Sequence, residues 1–410
     1  MAMGTGKRRE RQQELWVASS DIVQTPANAF YDRLNEILNK RHFDRRVEHL
    51  CRRYYRGVGA RPSITPGVYF RSLLIGYFEG LDSERGIAWR VADSLSLRKF
   101  LSYALDEQTP DHSTISRTRR LFWLTTHRAV FRWVLKMLVE EGLLAGQTVS
   151  VDATTLEANA ALRSIVRRDT GERYEEYLKG LAEAAGIENP TREQLARFDR
   201  KRKKKVSNRD WKHPYDPDAR ITKMKDGRTH LAHKAEHAVD LSSGAVLKQL
   251  HGQGVRSYIP EPERGRRNGQ GKQTEQQQVY ANRRRVRGET SKRRQKLRCE
   301  LTERSFAHLY ETGGMRRVHL KGRENILKRL LIHAAGCNLA LVMRKMFGVG
   351  KPRRLQGVGA RIFELCTKIW RSRRRLRALQ EAKAVPSFTP SRFSGALTTS
   401  ARMGLVPAGG

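Results

Sequence analysis

Acidic side chains are scarce. The 410 residues carry 42 Asp plus Glu against 81 Lys plus Arg, a formal net charge of +39. Such an imbalance speaks of partners rather than fold, and it points to a polyanion, most commonly nucleic acid. Cysteine is scarce too. Cys51, Cys299, Cys337 and Cys366 are scattered and form no C-x-x-C, so no zinc ribbon is expected and a reducing, cytosolic setting fits. No run of about 18 apolar residues stands out, which argues against a membrane partner. The opening MAMGTGKRRERQQE is basic and polar without an apolar h-region, so no secretory signal is expected. These absences lead to a cytoplasmic, nucleoid-associated protein.

The chain is long enough for two or three domains with a sizeable core. Residues 1–27 read as a basic flexible lead, and residues 28–145 as a helical N-terminal domain. Periodicity starts near Phe30, with Leu34, Ile37 and Leu38. It is clearest at Phe70, Leu73, Leu74, Tyr77, Phe78 and Leu81, one face of an amphipathic helix closed near Gly80. Ser83 can cap the next helix, with Ile87, Trp89 and Val91. After Thr109-Pro110, Asp111 or Ser113 can cap another, HSTISRTRRLFW. This succession is compatible with a helix-turn-helix whose Arg117, Arg119 and Arg120 reach bases or phosphates, and equally with a plain bundle bearing a solvated basic face. A further helix, His127 to Leu144, ends at Glu140-Glu141-Gly142.

The stretch TVSVDATTLEANAA, Thr148 to Ala161, opens with a short β-branched run and places Asp152 at its end. A lone acid on a buried strand is costly unless a cation or a basic group pairs it, and such acids commonly serve chemistry. The alternative is that Asp152 caps the next turn or helix.

Residues 156–212 are polar and mostly helical in pattern. They include the basic run Arg200 to Lys205, with Lys203 and Lys204, which reads as a solvated tract or as a phosphate contact. In THLAHKAEHAVDLSSGAVL, Val239, Leu241, Ala245 and Val246 flank Ser243-Gly244 and suggest a hairpin. The same segment contains His233, Glu236 and His237 in the H-x-x-E-H pattern of some zinc proteases. That chemistry needs a helix, and this run looks strand-like. Gly254 to Ile259 reads as another short strand, closed by Pro260-Glu-Pro262. Arg264 to Arg298, which contains Arg266, Arg267 and Arg284, is very basic and poor in apolar residues, and is expected on the surface or along DNA. Leu301 to Tyr310 is a helix candidate carrying Glu303, with Glu300 one turn back. A long amphipathic helix follows, through Ile326, Leu327, Leu330, Leu331, Ala334, Leu341 and Val342, and ends at Gly348-Val-Gly350. Residues 351–385 read as a basic helical extension and residues 386–410 as a disordered tail.

Taken together, several stretches resemble the bacterial insertion-sequence transposases of the DDE class. They are RHFDRRVEHL to DHSTISRTRRLF, SVDATTLEANA, HKAEHAVDLSSGAV, GVRSYIPEPERGRR and ELTERSFAHLYETGGMRRVHLKGRENILKRLLIHAAGCNL. They span roughly residues 30–350, and their combination is specific where no single one is. The resemblance implies an α+β protein: a helical N-terminal DNA-binding domain followed, over residues 146–350, by an RNase H-like mixed-sheet domain. It implies that Asp152 is the first catalytic carboxylate and Glu303 the last. It also implies Mg²⁺ (or Mn²⁺), held by carboxylate oxygens, for phosphodiester cleavage and strand transfer. The partners implied are double-stranded DNA, as terminal inverted repeats and target DNA, and a second copy of the chain in a homodimer on that DNA.

The family's second catalytic Asp sits in a D-x-G-Y motif, and this chain has no D-x-G-Y. Lys248 to Gly254 alone separates the two strand candidates, whereas a parallel crossover needs about a dozen residues or more. An internal deletion near residues 247–254 would remove a central strand, leave an exposed edge or a re-paired sheet, and take one metal ligand away. Asp240 is a possible stand-in ligand, and Glu300 another. Three readings follow. The chain is an active transposase, a deletion remnant that binds DNA without cutting it, or a general basic nucleic-acid-binding protein.

Overall fold

The computed structural model describes residues 29–55, 63–144, 146–202, 206–224, 227–247, 271, 273–352 and 405–407. The expected lead, the strand Gly254 to Ile259, Lys203, Lys204, Arg266 and Arg267 lie outside these residues. So do nearly all of the basic extension and tail. The architecture is α+β, a helical N-terminal region followed by a curled mixed sheet.

The N-terminal helices are α1 (Ala29–Lys40), α2 (Phe43–Cys51), α3 (Pro66–Glu79), α4 (Glu84–Ala92), α5 (Leu95–Phe100), α6 (His112–Leu121) and α7 (Leu124–Glu140). Their starts follow from short polar side chains. Thr65, with Pro66 behind it, accepts the Val68 N–H, Ser83 accepts that of Gly86, Ser94 that of Leu97 and Asp111 that of Ser113. Helix α3 is buried on all sides from Tyr69 to Phe78 rather than along one stripe, because neighbouring helices close over its outer face. Its one basic residue, Arg71, survives burial by forking onto Asp44 at 3.0 and 2.7 Å.

The helix that covers α3 is α12 (Arg323–Phe347), which packs on both α3 and α7. By length and composition α12 is apolar enough to cross a membrane, yet 94% of the relevant window is buried inside the fold, so here it is a core helix. Two glycines let α3 and α12 approach. A Cβ on Gly336 would lie 2.6 Å from the Tyr77 ring, and one on Gly76 would lie 2.7 Å from the Arg329 guanidinium. One hydrophobic core runs from the N-terminal helices through α12 to Leu156, Ala235 and Val246 of the sheet.

The sheet is built on β1 (Val149–Ala158) and β5 (Thr229–Asp240), antiparallel from Val149↔Asp240 to Glu157↔Ala232. Beyond β5 lie β4 (Arg220–Lys223), β6 (Val246–Leu247) and β8 (Leu405–Pro407), each pairing with a different part of it. On the far side of β1, β7 (Arg317–Val318) pairs in parallel, but only with Glu157 and Ala158. Among the described residues no strand pairs with that edge of β1 from Val149 to Leu156, and Val151 on it is 46% exposed. Strand β6 is held from below: the Val246 N–H donates to Asn338 Oδ1 at 2.9 Å, and Asn338 Nδ2 donates to the Val246 carbonyl at 2.8 Å.

Between β1 and β4 the polar insertion forms β2 (Val166–Arg167), α8 (Tyr174–Ala184), α9 (Arg192–Lys201) and β3 (Trp211–Lys212), with a small cluster between α8 and α9 and another shared with Ala158 of β1 and Leu231 of β5. The basic stretch before the C-terminal block is helical, as α10 (Gln273–Arg287) and α11 (Glu289–Phe306). A π-helical turn, Ala307–Glu311, follows.

Candidate functional site

Asp152 lies inside β1, not at its end. Thr154 and Thr155 suit an extended backbone and pair with Ala235 and Lys234, so the strand runs on to Ala158. This rules out the capping role. Asp152 Oδ1 accepts the N–H of Ala153 at 2.8 Å, and Oδ2 accepts Arg298 Nη2 of α11 at 3.1 Å. The side chains of Asp152 and Arg298 keep 41% and 30% of their exposure, so the pair is open to water.

Helix α11 lies on the face of β1 that carries Ser150 and Asp152. Arg298, Thr302 and Ser305 follow at helical spacing and each touches the sheet. Arg298 reaches Asp152, Thr302 Oγ1 donates to Ser150 Oγ at 2.9 Å, and Ser305 Oγ lies 2.8 Å from His237 Nε2. His237 stands directly across from Asp152 in the β1–β5 register. Its ring is buried against Phe306, centroids 4.2 Å apart. Burial pushes its pKa down to about 4, against the opposing pull of Asp152. The imidazole is therefore neutral at neutral pH. Glu303 follows Thr302 on α11 and is exposed, turned about 100° from the side chain that meets β1.

Asp240 does not stand in for the missing carboxylate. It pairs with Val149, an odd number of residues from the Asp152–His237 pair, so its side chain leaves the opposite face of the sheet. Its Oδ2 accepts the hydroxyl of Ser242, the Ser243 hydroxyl at 2.8 Å and the Ser243 N–H at 3.2 Å. It thus shapes the β5–β6 turn, where Gly244 takes a φ of 74°. Glu300 is engaged by Arg304 at 2.7 Å. The H-x-x-E-H segment lies on β5. His233 and His237 are about 13 Å apart along a strand with Glu236 on the other face, which excludes the zinc-protease geometry. His233 instead lies 3.0 Å from the buried Asp216.

A centre for Mg²⁺ or Mn²⁺ needs several oxygen ligands. Among the described residues no group of three or more His, Cys, Asp or Glu side chains is placed to hold a metal ion. Asp152 is taken up by a guanidinium, and Asp240 faces away. The donor set of the described residues does not fit a two-cation carboxylate centre.

The candidate DNA contacts divide. Arg117 and Arg120 of α6 are exposed, and Arg117 is held along the helix near Ser113 and Thr114. Arg119 is not available to DNA. It is 6% exposed, its Nε donates to Glu84 Oε1 at 2.6 Å and its terminal nitrogen to Oε2 at 3.4 Å. The reason is periodicity, since Ile115, Thr118 and Arg119 form the inner face of α6 against α4 and α12. The link from α5 to α6, residues 101–111, is also much longer than the about three or four residues of a helix-turn-helix turn. Arg284 of α10 is exposed, and so are Arg287, Lys292, Arg293 and Lys296, which extend the basic surface along α11 towards Asp152.

The sequence pattern did not place Arg298 and His237 beside Asp152, nor the serine and threonine contacts of α11. The available signal was the spacing of Arg298, Thr302 and Ser305 on one helical face, hidden inside a basic run. No curated protein and no solved structure matches the chain. Residues 20–121, which include helices α1 to α6, match the family model of a transposase domain (DUF772), and this match supports a transposase family for the chain.

Proposed function

We propose that the chain acts on the duplex DNA of a mobile element as a transposase-family protein, and that its DNA lies along α10 and α11 beside Asp152. The observation that carries this reading is the row of exposed Arg284, Arg287, Lys292, Arg293 and Lys296 leading to the strand that bears Asp152. A basic row of this kind tracks a phosphate backbone, and the net charge of +39 supplies a long-range attraction for it. Asp152 would serve as the acidic landmark of the site, and Arg298 would hold its carboxylate in place when DNA is absent.

Binding without cleavage is the form of this function that the donor set favours, because Asp152 pairs with Arg298 and Asp240 leaves the opposite face. A second reading is metal-dependent strand cleavage and transfer at the element's ends, with Asp152 and Glu303 as ligands. It draws support from one observation, that β1 and α11, which carry these two carboxylates, pack together.

One experiment separates the two. Purified protein and its Asp152→Ala variant are incubated with supercoiled plasmid carrying the element's ends and Mn²⁺ or Mg²⁺, and a gel-shift assay runs in parallel. Repeat-specific binding by both proteins, with no nicking, is the expected result. Nicking that disappears in Asp152→Ala would establish the cleavage reading. Binding with no preference for the ends would remove the transposase role and leave a general basic nucleic-acid-binding protein.

A further inference from the structure

A second basic feature lies beyond Asp152, at the C-terminal end of α11. The end of α11, the π-helical turn, the C-terminal end of α12 and the β5–β6 turn enclose a cavity of about 60 Å³. That is room for several waters or for one small oxyanion. Arg304, His308, Arg344 and Lys351 line it, and among the described residues no Asp or Glu does. The Tyr77 ring and Cys337 are among its less polar walls.

Collecting like charges around one cavity is unfavourable unless an anion joins them. Among the described residues, Glu300 and Asp240 do not play that part for Arg304 and Arg344. Glu300 holds Arg304 from outside, through an exposed ion pair at 2.7 Å. Asp240 is engaged under the turn by Ser242 and Ser243. His308 Nδ1 is buried with no hydrogen-bond partner among the described residues. The hydroxyls of Ser243 and Ser305 are already committed, to Asp240 and to the Thr302 carbonyl. Arg304, Arg344 and the buried His308 Nδ1 present cationic or N–H donor groups to the cavity, the complement of a tetrahedral oxyanion.

We propose that this cavity binds a phosphate group, with Arg304 and Arg344 as its principal donors and His308 Nδ1–H completing the shell. Burial and, after it, the charges of Lys351, Arg344 and Arg304 hold the His308 pKa below its ordinary value. A bound phosphate offsets the field of those cations, so phosphate binding is coupled to protonation of His308. The phosphate can be a small free anion or one unit of a nucleic-acid backbone. The first does not depend on the transposase reading, and the second would extend that protein's DNA contact around α11.

The test uses the full chain. Inorganic phosphate is titrated calorimetrically at constant ionic strength set with chloride, against wild type, Arg344→Gln, Arg304→Gln and, as a control outside the cavity, Lys136→Gln on the exposed side of α7. The expected result is saturable binding by wild type and Lys136→Gln, weakened about tenfold or more in each cavity variant. Circular dichroism melts confirm that each variant is folded, and Arg304, being half in solvent, supplies an informative variant should Arg344→Gln unfold. Absence of saturable binding by wild type, or equal affinity in folded Arg304→Gln, overturns the proposal. The source is read from a second arm. If the slope of log K for duplex DNA against log salt falls by about one unit in Arg304→Gln, a backbone phosphate occupies the cavity. If phosphate affinity falls and that slope is unchanged, the ligand is a free phosphate. Failure of repeat-specific binding or cleavage leaves the calorimetric result standing, so the two proposals fail separately.

Discussion

Arg119 and its neighbours on α6 test whether a basic helix here is read correctly. The Arg119 and Glu84 side chains are 7% and 9% exposed and meet at 2.6 Å. Arg119→Ala leaves the Glu84 carboxylate buried without its partner, a change that costs about 3–5 kcal/mol. The Arg329 guanidinium, fully buried and within the field of Glu84, offsets part of that loss, so the lower end, about 3 kcal/mol, is expected. Arg117 and Arg120 are exposed on the same helix, and their replacement by Ala should change stability by about 0.5 kcal/mol or less. The assay is urea unfolding followed by circular dichroism, with DNA binding measured at several salt concentrations. Arg117→Ala and Arg120→Ala should each weaken DNA binding and flatten its salt dependence, with the unfolding midpoint nearly unmoved. Arg119→Ala should move the midpoint strongly and, under conditions where it is folded, leave the salt slope as in wild type. Pairing it with Glu84→Leu should recover much of the loss, because a buried pair replaced by apolar side chains is often tolerated. An Arg119→Ala midpoint equal to that of Arg120→Ala, with a shallower salt slope, would refute the inward assignment of Arg119.

Four further changes probe other parts of the molecule. Gly336→Ala should destabilise by about 1–3 kcal/mol, since its Cβ meets Tyr77 at 2.6 Å; an unchanged melting temperature would mean that α3 and α12 separate freely. Asp240→Ala should cost about 1–3 kcal/mol by stranding the Ser242 and Ser243 donors, and should leave any response to Mn²⁺ unchanged; loss of such a response would restore Asp240 as a ligand. Arg298→Ala should cost about 1 kcal/mol or less, because its pair with Asp152 is open to solvent, and a much larger loss in urea unfolding would show the pair to be structural. Burial lowers the pKa of His237 to about 4 and of His127 to about 3, so the unfolded chain takes up protons first as pH falls. Stability present above about pH 6.5 should decline towards about pH 4, by a few kcal/mol for each ring, and unfolding midpoints of His237→Asn over that range should fall less steeply than those of wild type.

Much of the helical region was legible because its signals are local. The apolar spacing from Phe70 to Phe78, Ser83 as a cap and Gly348 as a stop are properties of short windows, and α3, α4 and α12 lie where those windows put them. The β5–β6 turn was legible for the same reason. What escaped depends on contacts between distant segments. Nothing within HSTISRTRRL separates an arginine that faces Glu84 from one that faces water, until the period from Ile115 is set against α4 and α12. The length of β1 is decided by a partner strand about eighty residues away, which carries extended pairing past Asp152. The helix α10 has few apolar residues to announce it, and its packing partner is α11. The Arg298–Asp152 pair joins residues 146 positions apart, and neither neighbourhood foretells it.

Helix α11 connects the two features of this region that bear on ligands. Arg298, Thr302 and Ser305 fix it to β1 and β5, while Leu301, Arg304, Ser305 and, just beyond its end, His308 line the basic cavity. Ser305 belongs to both sets, and its hydroxyl meets the histidine that stands across the sheet from Asp152. The chain changes to a π-helical turn directly after Phe306, and His308 of that turn lines the cavity. An anion held by Arg304 would therefore pull on the same helix that carries Arg298, within two helical turns of it. The contact most easily given up along that path is the Arg298–Asp152 pair, because it is solvated while the Thr302 and Ser305 contacts are buried. Occupation of the cavity should thus be felt at Asp152 as a change in how firmly Arg298 holds it, with the packing of α11 on the sheet preserved.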